Sequence, residues 1–353
     1  MLLASQDRRD AAFRSVESLP GIRVNTIRAG GAVRPLLPGA PIDLGLDVDA
    51  YMGQQRHAGL IIVQDGRIRF ERYALGYGAE GRWTSFSVAK SITSTLVGAA
   101  MRDGHIKSLD DRAATYVPAL GDSRLDAVTI RQLLTMTSGI AWNEDYDDPR
   151  SDVALFNRQK PVPGEDIAVS YMKSLPREAP PGSKWVYKTG ETNLIGIVVS
   201  SATGQSLSEY LSEKIWKPFG MEADALWMLG STGHEIAGCC ISARLRDYAR
   251  FGLFMLDGGI ADGQQVLPDG WIADATTGKE DVGIPGRGYA YQWWTNDDGS
   301  YSAQGIYGQG IFIDPSRRLV VASNGNWPVA NDPDGIGAAR ERFYKKVQAA
   351  ADA

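Results

Sequence analysis

An apolar run, Leu60–Val63, meets an alternating run, Arg67–Tyr73, across Asp65-Gly66. Two β-rich runs joined by Asp-Gly predict an antiparallel hairpin. Residues 1–55 are punctuated by Pro and Gly and read as an irregular arm. Ser85–Met101 then places Ala89, Ile92, Leu96 and Ala99-Ala100 at helical spacing, with Gly104 as a stop. This helix is small or apolar nearly all round, which predicts burial. From Asp110 to Gly233 helical segments alternate with Pro/Gly loops, most clearly Thr129–Ile140, Glu191–Gly204 and Ser206–Gly220. Asn143–Gly164 is polar and interrupted by three prolines, and reads as a long surface loop. A helix is predicted over Ser242–Gly259, capped by Ser242, with Leu245, Tyr248, Ala249 and Leu253 on one face. Tyr289–Thr295, Gly305–Pro315 and Arg318–Asn326 read as strands, the last two joined by a turn at Asp314–Arg318. A helix over Ala338–Ala350 ends the pattern. Strands at both ends and helices between them predict an α+β fold, an antiparallel sheet built from both chain ends and flanked by helices. The expected division is a discontinuous sheet domain, 1–109 and 235–353, and a mainly helical inserted domain, 110–234.

Composition narrows the function classes. Lys+Arg 37 against Asp+Glu 42 leaves no basic surplus for a nucleic-acid backbone. No run approaches the ~18 apolar residues of a membrane span, and the N-terminal apolar run is too short for a secretory signal, so a cytoplasmic location is expected. Three histidines (His57, His105, His234) and one adjacent cysteine pair (Cys239, Cys240) offer no metal-ligand spacing. No metal or cofactor is expected. The cysteines read as free, buried packing residues. Asp145, Asp147 and Asp148 match no calcium loop and read as a solvated face.

The chemistry lies elsewhere. No G-x-S-x-G elbow is present, and no histidine has an evident serine partner. Ser87-Val88-Ala89-Lys90 sets a hydroxyl and an amine one helical turn apart on one face. Ser87 falls in the first turn of the predicted helix, where unpaired N–H groups favour an oxyanion. The surrounding residues would desolvate Lys90 and ease its loss of charge near neutral pH. A second match, Ser170-Tyr171-Met172-Lys173, follows the polar loop and reads as incidental.

A further motif follows at Tyr187-Lys188-Thr189, about 100 residues after Ser87, with Gly196 nine positions after the tyrosine. Together these motifs resemble the serine β-lactamase and penicillin-binding-protein superfamily. The resemblance is strongest to its class C-like carboxylesterases and the 6-aminohexanoate-dimer hydrolase family. Glu144–Pro149 (EDYDDP), Ala237–Gly252 (AGxxIxAxLRDxARFG) and Gly305–Gln309 (GIYGQ) are similar to that family's segments, and the likeness covers roughly residues 55–330. It implies a β-lactamase/transpeptidase-like fold and an acyl-enzyme on Ser87. Lys90 would take the serine proton or hold the network. Tyr187 would act as general acid/base, with cationic Lys90 lowering its pKa or sharing its proton. Thr189 stands where Asn or Ser is usual. The backbone N–H groups of Ser87 and Ile306 would form the oxyanion hole, with Gly305 letting substrate approach the strand edge.

The literal Lys188-Thr189-Gly190 overlaps the tyrosine motif and is a decoy for the family's third motif, which falls on Ala303-Gln304-Gly305. Ala303 replaces the cation that pairs with a substrate carboxylate. That points away from β-lactamase or D,D-peptidase work and toward small neutral esters, with linear amides of the aminohexanoate type second. Tyr146 matches a tyrosine that closes over substrate. Asn157 stands where amide-hydrolysing members carry an acid. Trp293 and Trp294 are expected to wall the acyl pocket. The expected partner is a small ester or amide, and a homodimer is compatible with the sequence. A non-catalytic binding module on the same fold and transacylation are the alternatives.

Overall fold

The structure, a computed structural model, describes residues 4–156 and 158–353. Strands β1 (His57–Gln64) and β2 (Arg67–Tyr73) form the hairpin. Asp65 and Gly66 have φ of 50° and 72°, as a two-residue type I′ turn requires. Four helices frame the core and the site: α1 (Val88–Arg102), α2 (Thr189–Thr203), α3 (Leu245–Leu256) and α4 (Ala338–Ala351). Late strands β3 (Tyr301–Gln304), β4 (Gly310–Asp314) and β5 (Leu319–Gly325) join the hairpin in a nine-stranded sheet. Its order is Glu280–Asp281, Arg287–Tyr289, Trp294–Asn296, β3, β4, β5, β1, β2 and Leu37–Pro38. Only the last pair is parallel.

Alternation along the strands divides the core. Ile61, Val63, Ile311 and Val320 join a large apolar cluster with Leu245, Ala249 and Leu253 of α3. Their neighbours Leu60, Ile62, Phe312 and Val321 join a second cluster with Phe343, Tyr344 and Val347 of α4. The central strands are therefore apolar on both faces because helices cover both. We propose that residues 110–234 fold as an insertion sharing the larger core, since Leu120, Leu133 and Trp216 belong to the cluster that holds Ile61 and Val320.

Several expectations need correction. The arm is not irregular throughout: it contains helices Gln6–Arg14 and Val48–Gln54, the second capped by the Asp47 side chain, and strand Val24–Ile27. That strand pairs with Ala225–Met228, so the nominally helical segment also contributes to a four-stranded sheet. Helix Ile130–Leu134 is only five residues long. It starts in a Thr129/Gln132 capping box and gives way at Met136, whose φ is 57°. Ser206–Gly220 is a short helix, Leu207–Leu211, followed by a wider π turn. Ser242 lies in strand Ile241–Ala243, and α3 begins at Leu245.

The Tyr289–Thr295 run is two strands broken at Gln292, with φ 62°. Its side chain donates to the carbonyls of Leu133 and Leu134 and accepts from Thr192, a cross-brace that a continuous strand would not supply. The cysteines are not free thiols: Cys239 and Cys240 are joined by a disulfide. Among the described residues no helix is long and apolar enough to cross a membrane.

Candidate active site

Ser87 stands immediately before α1, and Phe86 ahead of it has φ 43°. A left-handed phenylalanine is strained, and packing fixes it here: its ring lies 4.9 Å from Phe13 and 5.5 Å from Tyr307. One turn on, Lys90 is 1% exposed. Its Nζ is 3.0 Å from Ser87 Oγ, 2.9 Å from Thr189 Oγ1 and 2.8 Å from the Gly238 carbonyl. Burial pushes its pKa down to about 8, with the negative charge of Glu144 opposing the shift. Gly238 can sit this close because it lacks a side chain: a Cβ there would meet Thr189 Cγ2 at 2.8 Å. The Asn193 side chain accepts from the Gly238 N–H and pins that segment.

The direction of the hydrogen bonds is set from outside. The Thr189 hydroxyl donates to the Glu144 carboxylate, so toward Lys90 it can only accept. Glu144 also receives the Thr189 N–H at 2.9 Å, the Tyr146 hydroxyl at 2.6 Å and the Trp142 indole N–H. Sequence reasoning missed Glu144. It sits in a loop that looks solvated, while its neighbours Asp145 and Asp147 are exposed. The signal available was its place two residues before Tyr146, since both are held to one carboxylate network.

Tyr187 follows a different rule from the one expected. Burial, and then the charge of Glu144, raise its pKa well above the ordinary phenol value, and a hydrogen bond with Ser87 offsets this only in part. Lys90 Nζ lies over the ring, 5.1 Å from its centre. Tyr187 is therefore a protonated phenol, held by Trp294 in a near-parallel stack at 5.7 Å and by the edge of Tyr289.

Ser87, Tyr146 and Ile306 line both lobes of a divided cavity. The larger lobe, about 430 Å³, also takes in Tyr187, Trp294, Gln304 and Arg340. The smaller, about 200 Å³, is lined by apolar groups such as Val153, Phe156 and Ile236, and by the Cys239–Cys240 pair. Among the described residues, neither the Ser87 nor the Ile306 N–H donates to an acceptor.

Other site expectations separate here. Trp294 lines the larger lobe, but Trp293 does not reach the cavity: it is fully buried, 5.2 Å from Tyr301 and stacked on Phe251. Adjacent strand residues face opposite ways. Gly305 borders the cavity, yet what its missing side chain admits is the chain itself, since a Cβ would lie 2.5 Å from the Ser85 carbonyl. Asn157 lies outside the described residues. Lys188 is buried against Glu191 at 3.1 Å and does not line either lobe. Lys173 pairs with Glu165, which also accepts from Ser170.

A family model described as Beta-lactamase matches residues 47–346. The chain belongs to the beta-lactamase family. Membership makes it a serine-hydrolase-type enzyme of the ester- and amide-cleaving kind. Within the family it is similar to the 6-aminohexanoate-dimer hydrolase of Paenarthrobacter ureafaciens, 31% identical over 290 residues, 78% of this chain and 73% of that protein. The fold matches the solved structure of a 6-aminohexanoate-dimer hydrolase candidate of Bacillus anthracis, with TM-score 0.84 at 23% identity, over 96% of this chain and 93% of that one. It also matches a D-stereospecific amidohydrolase from Streptomyces sp., with TM-score 0.62 at 20% identity, over 83% and 98% of the two chains.

Proposed function

We propose that this member of the family hydrolyses small carboxylic esters, and secondarily linear amides of the 6-aminohexanoate-dimer type, through a Ser87 acyl-enzyme. One observation carries the reading. A neutral amine has two N–H bonds and one lone pair. Thr189 Oγ1 and the Gly238 carbonyl take the two N–H bonds of Lys90, which leaves the lone pair for the Ser87 hydroxyl. Lys90 is then the base, and burial keeps enough of it neutral at mildly alkaline pH.

The Ser87 oxygen attacks the carbonyl carbon while its proton passes to Lys90. The developing oxyanion sits between the Ser87 and Ile306 N–H groups. The Tyr187 phenol gives its proton to the departing alcohol or amine and is reprotonated by the Lys90 ammonium. Water then attacks the acyl carbon and loses a proton to Lys90; the bond from the acyl carbon to Ser87 Oγ breaks, that proton returns to Ser87 Oγ, and the acid leaves. Ser87→Ala is expected to lower p-nitrophenyl butyrate turnover on the order of 10⁴–10⁶-fold and to abolish covalent labelling by a phosphonate. Turnover retained in that variant would refute the assignment. Nitrocefin turnover equal to ester turnover would favour a β-lactam substrate instead.

A further inference from the structure

Cys239 and Cys240 are bonded to each other and sit between the segments that hold the proposed nucleophile and its base. On one side, the carbonyl of Gly238, next to Cys239, accepts from Lys90 Nζ at 2.8 Å. On the other, the Cys240 N–H donates at 3.3 Å to the carbonyl of Phe86, the left-handed residue before Ser87. Ile241, next along, donates to the Ser85 hydroxyl at 3.0 Å and accepts from the Ser85 N–H at 2.6 Å. The cysteine pair also lines the smaller lobe of the cavity, together with Phe86 and Ser87.

A bridge between neighbours does little for the fold as a whole. Disulfides stabilise chiefly by closing loops of the unfolded chain, more so for long loops, and no residue lies between these two. What the bridge constrains is its own peptide. Cys240 has φ 73°, in a left-handed basin that a cysteine rarely occupies. The closed ring limits the rotations by which Cys240 could leave that basin. With the sulfurs parted, the ordinary extended and helical basins open to it. Gly238, Cys239 and Cys240 are consecutive, so such a move shifts the acceptor of Lys90 and the donor to Phe86 together. The two sulfurs are not equally reachable: Cys240 is 3% exposed, whereas Cys239 is half-buried.

We infer that the Cys239–Cys240 bridge is a redox-modification site that sets the activity of the Ser87 centre. Bridged, the enzyme is competent; reduced by a dithiol, it is slow. This rests on the Ser87 acyl-enzyme reading. A thiolate of the dithiol attacks Cys239 Sγ, the bond between the two cysteine sulfurs breaks, and a mixed disulfide forms at Cys239. Cys240 leaves as a thiolate and takes up a proton. The second thiol of the reductant loses its proton and attacks the reductant's own sulfur in the mixed disulfide. That closes the reductant's disulfide and releases Cys239, which is protonated in turn. The protein gains two electrons and two protons, and the dithiol loses them.

The test compares wild-type protein oxidised with diamide and the same protein reduced with dithiothreitol. Alkylation by iodoacetamide in guanidinium, read by mass spectrometry, should add nothing to the oxidised form and one group to each of the two cysteines of the reduced form. Reduction should lower kcat on p-nitrophenyl butyrate by about 10–100-fold, the scale of a slightly misplaced nucleophile. Phosphonate labelling of Ser87 should slow in step, the urea midpoint should move little, and a second diamide treatment should restore the rate. Cys240→Ser, which cannot form the bridge, should be slow from the start and indifferent to dithiothreitol. The wild-type arms need no variant. Two free thiols surviving diamide, an unchanged kcat after both cysteines are reduced, a loss that reoxidation does not reverse, or a dithiothreitol effect that persists in Cys240→Ser overturns the inference. If the oxidised protein turns over no ester and Ser87 takes no phosphonate, the acyl-enzyme reading has failed and this inference with it. Turnover and labelling that reduction leaves unchanged sink the switch alone.

Discussion

Lys90 and Lys188 invite comparison. Both side chains are sealed from solvent, and each stands at or near the start of a long helix, α1 or α2. Lys188 meets a carboxylate, Glu191, at 3.1 Å, and its Nζ also reaches the Met136 carbonyl. Lys90 touches two hydroxyls and a carbonyl, and reaches Glu144 only through Thr189. Burial without a direct counter-ion destabilises the charged amine of Lys90, whereas Lys188 has a carboxyl group in contact. In the proposed mechanism this contact separates the lysine that takes up a proton from the one that braces the fold. The same contact sets the literal Lys-Thr-Gly at Lys188 apart from the Ser-x-x-Lys at Ser87.

Exchanging each lysine for Met exposes this difference most strongly. Lys90→Met is expected to cost about 10²–10⁴-fold or more in kcat on p-nitrophenyl butyrate, with little loss in urea midpoint, because a costly buried amine is replaced by an apolar side chain. Lys188→Met strands Glu191 and should lose about 3–5 kcal/mol of unfolding free energy, while the molecules that fold keep their kcat. Equal activity losses in the two variants would erase the distinction.

A smaller effect is expected at the relay between Lys90 and Glu144. Thr189→Val keeps the shape and removes the oxygen that accepts from Lys90. We expect a loss of about 10–100-fold in kcat/KM, recovered in Thr189→Ser. A valine variant as active as wild type would show that the relay is dispensable.

The smallest shift is in pH dependence. In the proposed mechanism the neutral amine is the reactive form, so kcat/KM should rise with pH through about 8 and then level off. The Glu144 charge raises that pKa, so Glu144→Gln should move the midpoint to lower pH. A midpoint that stays put or rises would remove Glu144 from the electrostatics of the base.

How much the sequence reveals depends on how local each feature is. The β1–β2 hairpin and α1 are encoded in neighbouring residues, and so is the Ser87–Lys90 pair, one helical turn long. Glu144 is hidden because its partner Thr189 lies 45 residues away, and polarity alone cannot tell an inward carboxylate from an outward one. Arg340 is hidden for a related reason. An arginine in a charged terminal helix looks like a solvated face, and only the sheet brings it to Gln304. The place of Trp293 was legible in principle, because strand alternation sends two adjacent tryptophans to opposite sides. The pairing of Cys239 with Cys240 has no such signal, since adjacency alone does not say whether two thiols are joined.

Phe86 carries one further consequence. A residue held in an unfavourable backbone basin beside the proposed nucleophile is a place where a sturdier molecule and a faster one diverge. Glycine there would ease the bend and leave the serine free to wander. Breeding this chain for heat tolerance alone would therefore tend to loosen the very corner on which turnover depends.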